Sequence, residues 1–327
     1  MNHSVLKSKV FFFLTLVLTL MILKSGHTQE ATRYPTRPIN VIAPMSSGTS
    51  LDLGIRLLGK EAEKYLGQPI IVTNKAGGGG SIGYSAVASA KPDGYTIGLF
   101  IGAAPSFIMP FLEKLPYHPI KDFKFILQYL NINLGVIVKG DSPFKSFKEL
   151  IDYARQNPKK LTYGTNAPNS IANLIIEQVA KKEGIQLTHI PFKSSTEFQS
   201  ALLGNHIHFS AGDFSFPMVE AGETRLLLSF MEKRPDDIPQ IPILKDLGYD
   251  IPCPAMNGLF APKDTPNDVV KKLEESFSKA MKEPAFIKGV KDLHLPIFYR
   301  NSQELEDYMV HNYEVFSRIL KEMGLVK

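Results

Sequence analysis

The constraint that most limits what this chain can fold into is an alternation. Short β-branched apolar runs take turns with amphipathic segments, and loops of glycine and small polar residues join them. Ile39-Asn40-Val41-Ile42-Ala43 reads as a strand. The segment after it places Leu51, Ile55, Leu58, Ala62 and Tyr65 on one face, the stripe of a helix that buries against a sheet. Gly67-Gln68-Pro69 ends that helix, and Ile70-Ile71-Val72-Thr73 is the next strand. A glycine run then leads into a helix from Ser81 to Ala90, a Pro92-Asp93-Gly94 turn and the strand Tyr95-Thr96-Ile97-Gly98-Leu99-Phe100. Successive strand–helix units imply an α/β fold with mainly parallel sheets flanked by helices, because a parallel neighbour needs a crossover.

A second series opens at Leu134-Gly135-Val136-Ile137-Val138. Ser146-x-x-Glu149 and Ser194-x-x-Glu197 are capping boxes, in which two side chains satisfy orphan N–H groups at a helix start. Leu161-Thr162-Tyr163-Gly164, His189-Ile190-Pro191-Phe192 and Ile207-His208-Phe209-Ser210 read as strands. The last part is mostly helical. Thr265-Pro266 supplies a cap and a first-turn proline for a helix running to about Glu283, and Asn301-x-x-Glu304 opens a final one ending near Met323. Between Arg225 and Pro262 the chain is rich in proline and short strands, as expected of a crossing between lobes. The expected lobes are 33–133 plus 257–327, and 134–256.

Composition bounds the function. At 327 residues and 44% hydrophobic, the chain can bury one large core or two medium ones. Lys7, Lys9 and Lys24 account for much of the +5 formal charge, and the remaining basic residues are scattered among acids, so nucleic-acid binding is not expected. Lys7 and Lys9 precede a largely apolar run from Val10 to Leu23. A membrane-spanning helix needs about 20 apolar residues and a signal core roughly 7–15, so residues 1–28 read as an export signal and the body as periplasmic. The best cleavage candidate is Gly26-His27-Thr28, and an uncleaved anchor is the alternative. Cys253 is the single cysteine, which rules out an internal disulfide, and it has no nearby histidine to activate a thiolate.

Several motifs invite chemistry and fail on context. Gly78-x-Gly80-x-x-Gly83 follows a strand and opens a helix like a dinucleotide fingerprint, yet no acid lies about 20 residues on to hold a ribose, and its consecutive glycines exceed what a turn needs. Gly54-x-x-x-x-Gly59-Lys60 lies inside an amphipathic helix, with Glu61 where a magnesium-binding hydroxyl belongs. His206 and His208 would share a strand face, without a third metal ligand at sensible spacing. No nucleophile constellation is present, so no catalytic residue, metal or cofactor is expected.

What survives is a set of small-residue loops. Ser46-Ser47-Gly48-Thr49 and Ala76-Gly77-Gly78-Gly79-Gly80-Ser81 each follow a strand and precede a helix, so they point backbone N–H groups and the positive end of a helix dipole outward. Neither carries a cation at its turn. Thr165–Ser170, Lys193–Thr196 and Ala211–Asp213 are similar loops in the second lobe. Such loops converging on one cleft make a neutral, preorganised anion site.

These residues also carry a resemblance. Tyr34-Pro35-Thr36-Arg37-Pro38-Ile39, Leu66-Gly67-Gln68-Pro69, Gly80-Ser81-Ile82-Gly83, Pro92-Asp93-Gly94-Tyr95-Thr96, Tyr163-Gly164-Thr165, Pro191-Phe192-Lys193 and Ala261-Pro262-Lys263-Asp264-Thr265-Pro266 resemble the extracytoplasmic solute receptors of tripartite tricarboxylate transporters, the Bug family. The resemblance spans about 33–327. It implies a two-lobe periplasmic-binding-protein fold of type II with two hinge crossings. It further implies a small organic carboxylate held between the lobes and delivered to membrane permease subunits, with the receptor a monomer. Carried over by position, Ser47, Gly48, Thr49, Gly79, Gly80 and Ser81 line the first-lobe side, and Ala103 floors the cleft. Thr165, Asn166, Ser170, Ser194 and Asp213 line the second. Thr49 and Ser194 stand where glycine is common, Asn173 where histidine is frequent, and Met256 where tryptophan is usual. A nucleotide-dependent enzyme using Gly78–Gly83, or a sensing subunit for a signalling kinase, are the alternatives. Whether Lys193 or Arg225 reaches the ligand is left open.

Overall fold

The strands assemble into two separate sheets, and the chain changes sheet where its register partners change. The computed structural model describes residues 34–234 and 238–326. The segment 1–28, read as an export signal, lies outside the described residues. The first sheet has the order β11-β4-β10-β3-β1-β2, with β1 Ile39–Ala43, β2 Ile70–Asn74, β3 Thr96–Ile101, β4 Phe123–Asn131, β10 Met256–Pro262 and β11 Ile297–Arg300. The second has the order β7-β6-β8-β5-β9, with β5 Leu134–Lys139, β6 Thr162–Thr165, β7 Thr188–Pro191, β8 Phe209–Asp213 and β9 Thr224–Ser229.

Local chemistry accounts for the helices. In α1 (Ser50–Leu66) the Thr49 hydroxyl caps the start by accepting from the Asp52 N–H. Gly67, at φ +68°, ends it by returning its N–H to the Glu63 carbonyl. Ile55, Leu58, Ala62 and Leu66 form its buried face, and Gly59 lets the helix sit close on Ile70. The Gly54–Lys60 stretch is therefore helix interior. The glycine run leads into α2 (Ser81–Ala88), and α3 (Met109–Leu112) follows a π turn at Ala104–Ile108. The second sheet carries α4 (Phe147–Gln156), α5 (Ile171–Glu183), α6 (Ser195–Leu203) and α7 (Phe216–Glu220). The expected C-terminal helix to Glu283 divides into α8 (Asn267–Ala280) and α9 (Pro284–Asp292), and α10 (Ser302–Glu322) opens on the expected Asn301/Glu304 capping box.

The sheets are mixed rather than mainly parallel. β1 pairs in parallel with β2 and β3, and β6 with β7 and β8. β10 runs antiparallel to β3 and β4, β11 to β4, and β5 to β8 and β9. For β5 and β10 the reason is connectivity. A strand that enters a sheet from its neighbour arrives at the end where the parallel strands finish, so it must run back against them.

That same connectivity brings the ends of the two sheets together. Ile101, at the end of β3, pairs with Asn257, and Met256 pairs with Asn131 at the end of β4. Three residues later Leu134 pairs with Asp213, the end of β8. The carboxyl ends of β1–β3 and of β6–β8 therefore border one junction, crossed once between Asn131 and Leu134 and again between Ser229 and Met256.

Candidate functional site

Ligands of open α/β sheets sit beyond the carboxyl ends of parallel strands, and every sequence-selected loop lies there. After β1, Ser47, Gly48 and Thr49 are exposed. The Gly48 N–H is not bare: it donates to Asp52 Oδ2 at 2.9 Å. Asp52 is fully buried and also accepts from Arg56 Nε at 3.0 Å and from Asn74 Nδ2 at 2.8 Å. Burial pushes this carboxyl up, but the hydrogen bonds from Arg56, Asn74 and the Gly48 N–H outweigh it and hold it below the usual carboxylate range. Asp52 thus shapes the first loop from within, and the Thr49 side chain, not its own, caps the helix.

After β2 the backbone turns through Gly77, Gly78, Gly79 and Gly80 with φ of +122°, +54°, +59° and +104°. All four lie where L side chains are strained, so the turn uses every glycine, contrary to the expectation that the run exceeds its need. The Gly80 and Ser81 N–H groups close a 3₁₀ turn onto Gly77 and Gly78, and α2 starts without a side-chain cap. The two loops are neighbours, since a Cβ on Gly83 would come within 2.6 Å of Pro44 Cβ. Ala103, after β3, is buried in an apolar cluster with Phe100 and Phe107, beneath the surface.

In the second sheet, Thr165 is fully buried and its hydroxyl is spent on the Ala167 carbonyl (2.9 Å) and His189 Nε2 (2.8 Å). It braces the loop rather than facing solvent. Asn166 is exposed, and Ser170 caps α5 by accepting from the Asn173 N–H. Asn173 holds that loop as well, accepting from the Asn169 N–H at 3.1 Å and donating to the Tyr163 hydroxyl at 2.8 Å. Ser194 caps α6, and Glu197 returns a bond to the Lys193 N–H at 3.0 Å. Asp213 is half-buried and accepts from Ser195 Oγ at 2.5 Å. Burial raises its carboxyl above the usual range, with the Ser195 bond pulling the other way.

The two sets of loops are adjacent in space. Leu174, in the second turn of α5, is buried in the cluster that holds Ala103, Phe107 and Met256, and Ile171 packs against it. The start of α5 therefore rests on the core of the first sheet beside the end of β3. A cavity of about 760 Å³ lies elsewhere, and none of the candidate loop residues lines it.

The comparison with known families decides the identity. The model of the tripartite tricarboxylate transporter family receptor matches residues 55–325. The chain belongs to this family. A relative from Cupriavidus necator, the UPF0065 protein in gbd 5'region, is 37% identical over 299 residues, covering 91% of each chain. The receptor resembles the periplasmic binding protein BugD at 28% identity and a TM-score of 0.70, over 90% of this chain and 100% of that one. MatC from Rhodopseudomonas palustris, solved with bound malate, has the same fold at 24% identity and a TM-score of 0.70, over 88% and 100% of the chains. The protein is a two-lobe α/β solute-binding receptor of a tripartite transporter.

Within this tripartite tricarboxylate transporter receptor, the two open cations separate. Lys193 is exposed in the β7–α6 loop, at the junction. Arg225 sits at the other end of its sheet, where it donates to the carbonyls of Gly140 and Phe144 at 2.7 and 3.2 Å and closes the β5–α4 loop. The receptor's β8 starts at Phe209, later than expected, because Asn205 turns at φ +58° after α6. His206 and His208 therefore precede the strand, and His208 Nδ1 meets Thr162 Oγ1 at 2.8 Å. Burial pushes the Cys253 thiol up to about 12, so it stays protonated. Sequence reasoning passed over Arg56, which stands one helical turn from Asp52 and also reaches Asn74 on β2, and His189, whose partner Thr165 lies 24 positions away on another strand.

Proposed function

We propose that the receptor captures a small organic carboxylate between lobes 33–133 plus 257–327 and 134–256, works in the periplasm after export by segment 1–28, and performs no chemistry. The observation that carries this reading is the uncapped start of α2, above the all-positive-φ glycine turn, at a junction where α1, α5 and α6 carry side-chain caps. A ligand carboxylate seated on the Gly79–Ser81 turn would act as the missing cap for the N–H groups that follow at the start of α2, those of Gly80 and Ser81 being spent within the turn, and gain from the helix dipole. Ser170 and Ser194 accept from their own helices, which leaves each hydroxyl proton to donate outward, whereas the Thr49 hydroxyl donates to the Ser46 carbonyl at 3.4 Å. Charge-assisted bonds of this kind contribute roughly 1.5–3 kcal/mol each, so four or five support micromolar binding after ordering costs.

Asp213 adds selectivity. A desolvated carboxylate at the second-lobe side suits a ligand that presents a hydroxyl or ammonium there while its own carboxylate lies at the glycine turn. A second carboxylate placed against Asp213 is repelled unless the two share a proton. Contacts to both lobes stabilise a closed state, and release to the permease follows reopening.

The test is a thermal-shift screen of residues 29–327 against malate and other di- and tricarboxylates, aromatic acids, amino acids and nucleotides. A carboxylate at about 100 times its dissociation constant stabilises the fold by roughly 2.7 kcal/mol. A shift with ATP or NAD and none with any carboxylate overturns the reading.

A further inference from the structure

The 760 Å³ cavity is a groove away from the candidate loops, and its chemistry differs from theirs. One wall comes from the second sheet's side: Phe216 and Glu220 of α7, with Met231 and Lys233 beyond β9. The other comes from Lys291 of α9 and the run His294–Phe298 that leads into β11. The Phe216 and His294 rings stack across it, centroids 5.8 Å apart and planes within 8°. Ile297 is 41% exposed on its rim. The volume is in the range of small-molecule sites.

The charges are unbalanced. Arg234 lines the groove but is spent on Asp246 at 2.5 Å and the Pro239 carbonyl at 3.1 Å. Lys233 lies over the face of the Phe298 ring, 5.0 Å from its centroid. Among the described residues neither Lys233 nor Lys291 has a carboxylate partner, and Glu220 is the one acid on the lining. Flat apolar walls with two unpaired ammonium groups at the edge suit a flat apolar body carrying one carboxylate. A hydrated phosphate would gain little, because no free guanidinium faces it and the rings would strip its water.

We propose that this groove is a second ligand site, for a small aromatic carboxylate, with the aryl body against Phe216, Ile297 and Phe298 and the carboxylate between Lys233 and Lys291. Because the two lysines come from elements of different sheets, a ligand held by both braces those elements against one another. The proposal does not rest on the loop site.

Isothermal titration with 2-naphthoate tests it, on residues 29–327. The wild type should bind saturably, and the exposed pair Lys233→Gln/Lys291→Gln should weaken that binding at least tenfold. Ile297→Glu, which sets a carboxylate on the apolar rim, should weaken it similarly. Gly79→Val, at the other site, should leave naphthoate affinity unchanged. Absence of saturable binding overturns the proposal, as does indifference to the lysine and Ile297 changes. Loss of naphthoate binding in a Gly79→Val protein that keeps the wild-type circular dichroism and urea midpoint also overturns it, since the acid would then be occupying the loops.

Discussion

At the residue scale, the first loop shows how a buried charge can build a site without touching the ligand. Asp52 gathers the Gly48 N–H, Arg56 and Asn74 around one carboxylate, so the loop after β1 and the end of β2 are tied at a single point. Asp52→Asn keeps the size but removes the charge and turns one acceptor into a donor. The expected cost is about 1–3 kcal/mol, toward the lower end because Arg56 is 40% exposed and water compensates it. The sign of the pH effect follows from the lowered carboxyl. Its stabilisation is complete above the unfolded value near 3.8 and is lost as pH falls through the lower folded value. Urea unfolding of wild type and variant at neutral and acidic pH should show the gap narrowing below about pH 4. An equal gap at both would remove the charge from the explanation.

At the element scale, the candidate site is a collection of helix starts, and most of it was readable in advance. The boxes at Ser146, Ser194 and Asn301 are local patterns, because a cap and its helix are three residues apart. Ser194 offers a way to separate capping from ligand contact. Ser194→Ala should lose about 1 kcal/mol of stability with the cap. Ser194→Asp restores an acceptor for the Glu197 N–H, so denaturation should recover, while the added carboxylate faces an anionic ligand. Calorimetric titration with the carboxylate found in the screen should then show binding reduced at least tenfold in the Asp variant alone. Equal affinity in both variants would take Ser194 out of the site. β4 and β10 were the elements least visible beforehand. Their residues are buried on both faces, so no alternation marks them, and Gly258 admits the Leu127 carbonyl at a distance no side chain would allow.

At the scale of the whole molecule, two crossings and a few side chains link the sheets. Arg300 of β11 is stacked between Phe298 and Tyr308, bonds Gln128 of β4, and reaches Glu232 beyond β9. Leu174 inserts from α5 into the first sheet's core. A ligand that joins both sets of loops should therefore draw the lobes together as bodies about the crossings, leaving each sheet intact. Small-angle scattering with and without the carboxylate found in the screen should show a smaller radius of gyration in the bound state. An unchanged radius would mean that the ligand enters a structure already closed.

The sequence by itself determined the α/β alternation, the caps at Ser146, Ser194 and Asn301, the loops at the strand ends and the family, because periodicity, capping and turn chemistry are written over a few consecutive residues. The cap expected of Thr265 is not made, since its hydroxyl turns back to the Pro262 carbonyl and α8 starts after Pro266. The tertiary structure alone decided that the sheets are mixed, that Asp52 occupies the Gly48 N–H, and that Thr165 turns inward to His189. It also placed Lys193 at the junction and Arg225 away from it, and gathered Phe216, Lys233 and Lys291 into one groove. Each of those facts depends on which distant segments become neighbours. Strand partners and buried hydrogen bonds are chosen by the packing of the whole chain, and no local pattern carries that choice.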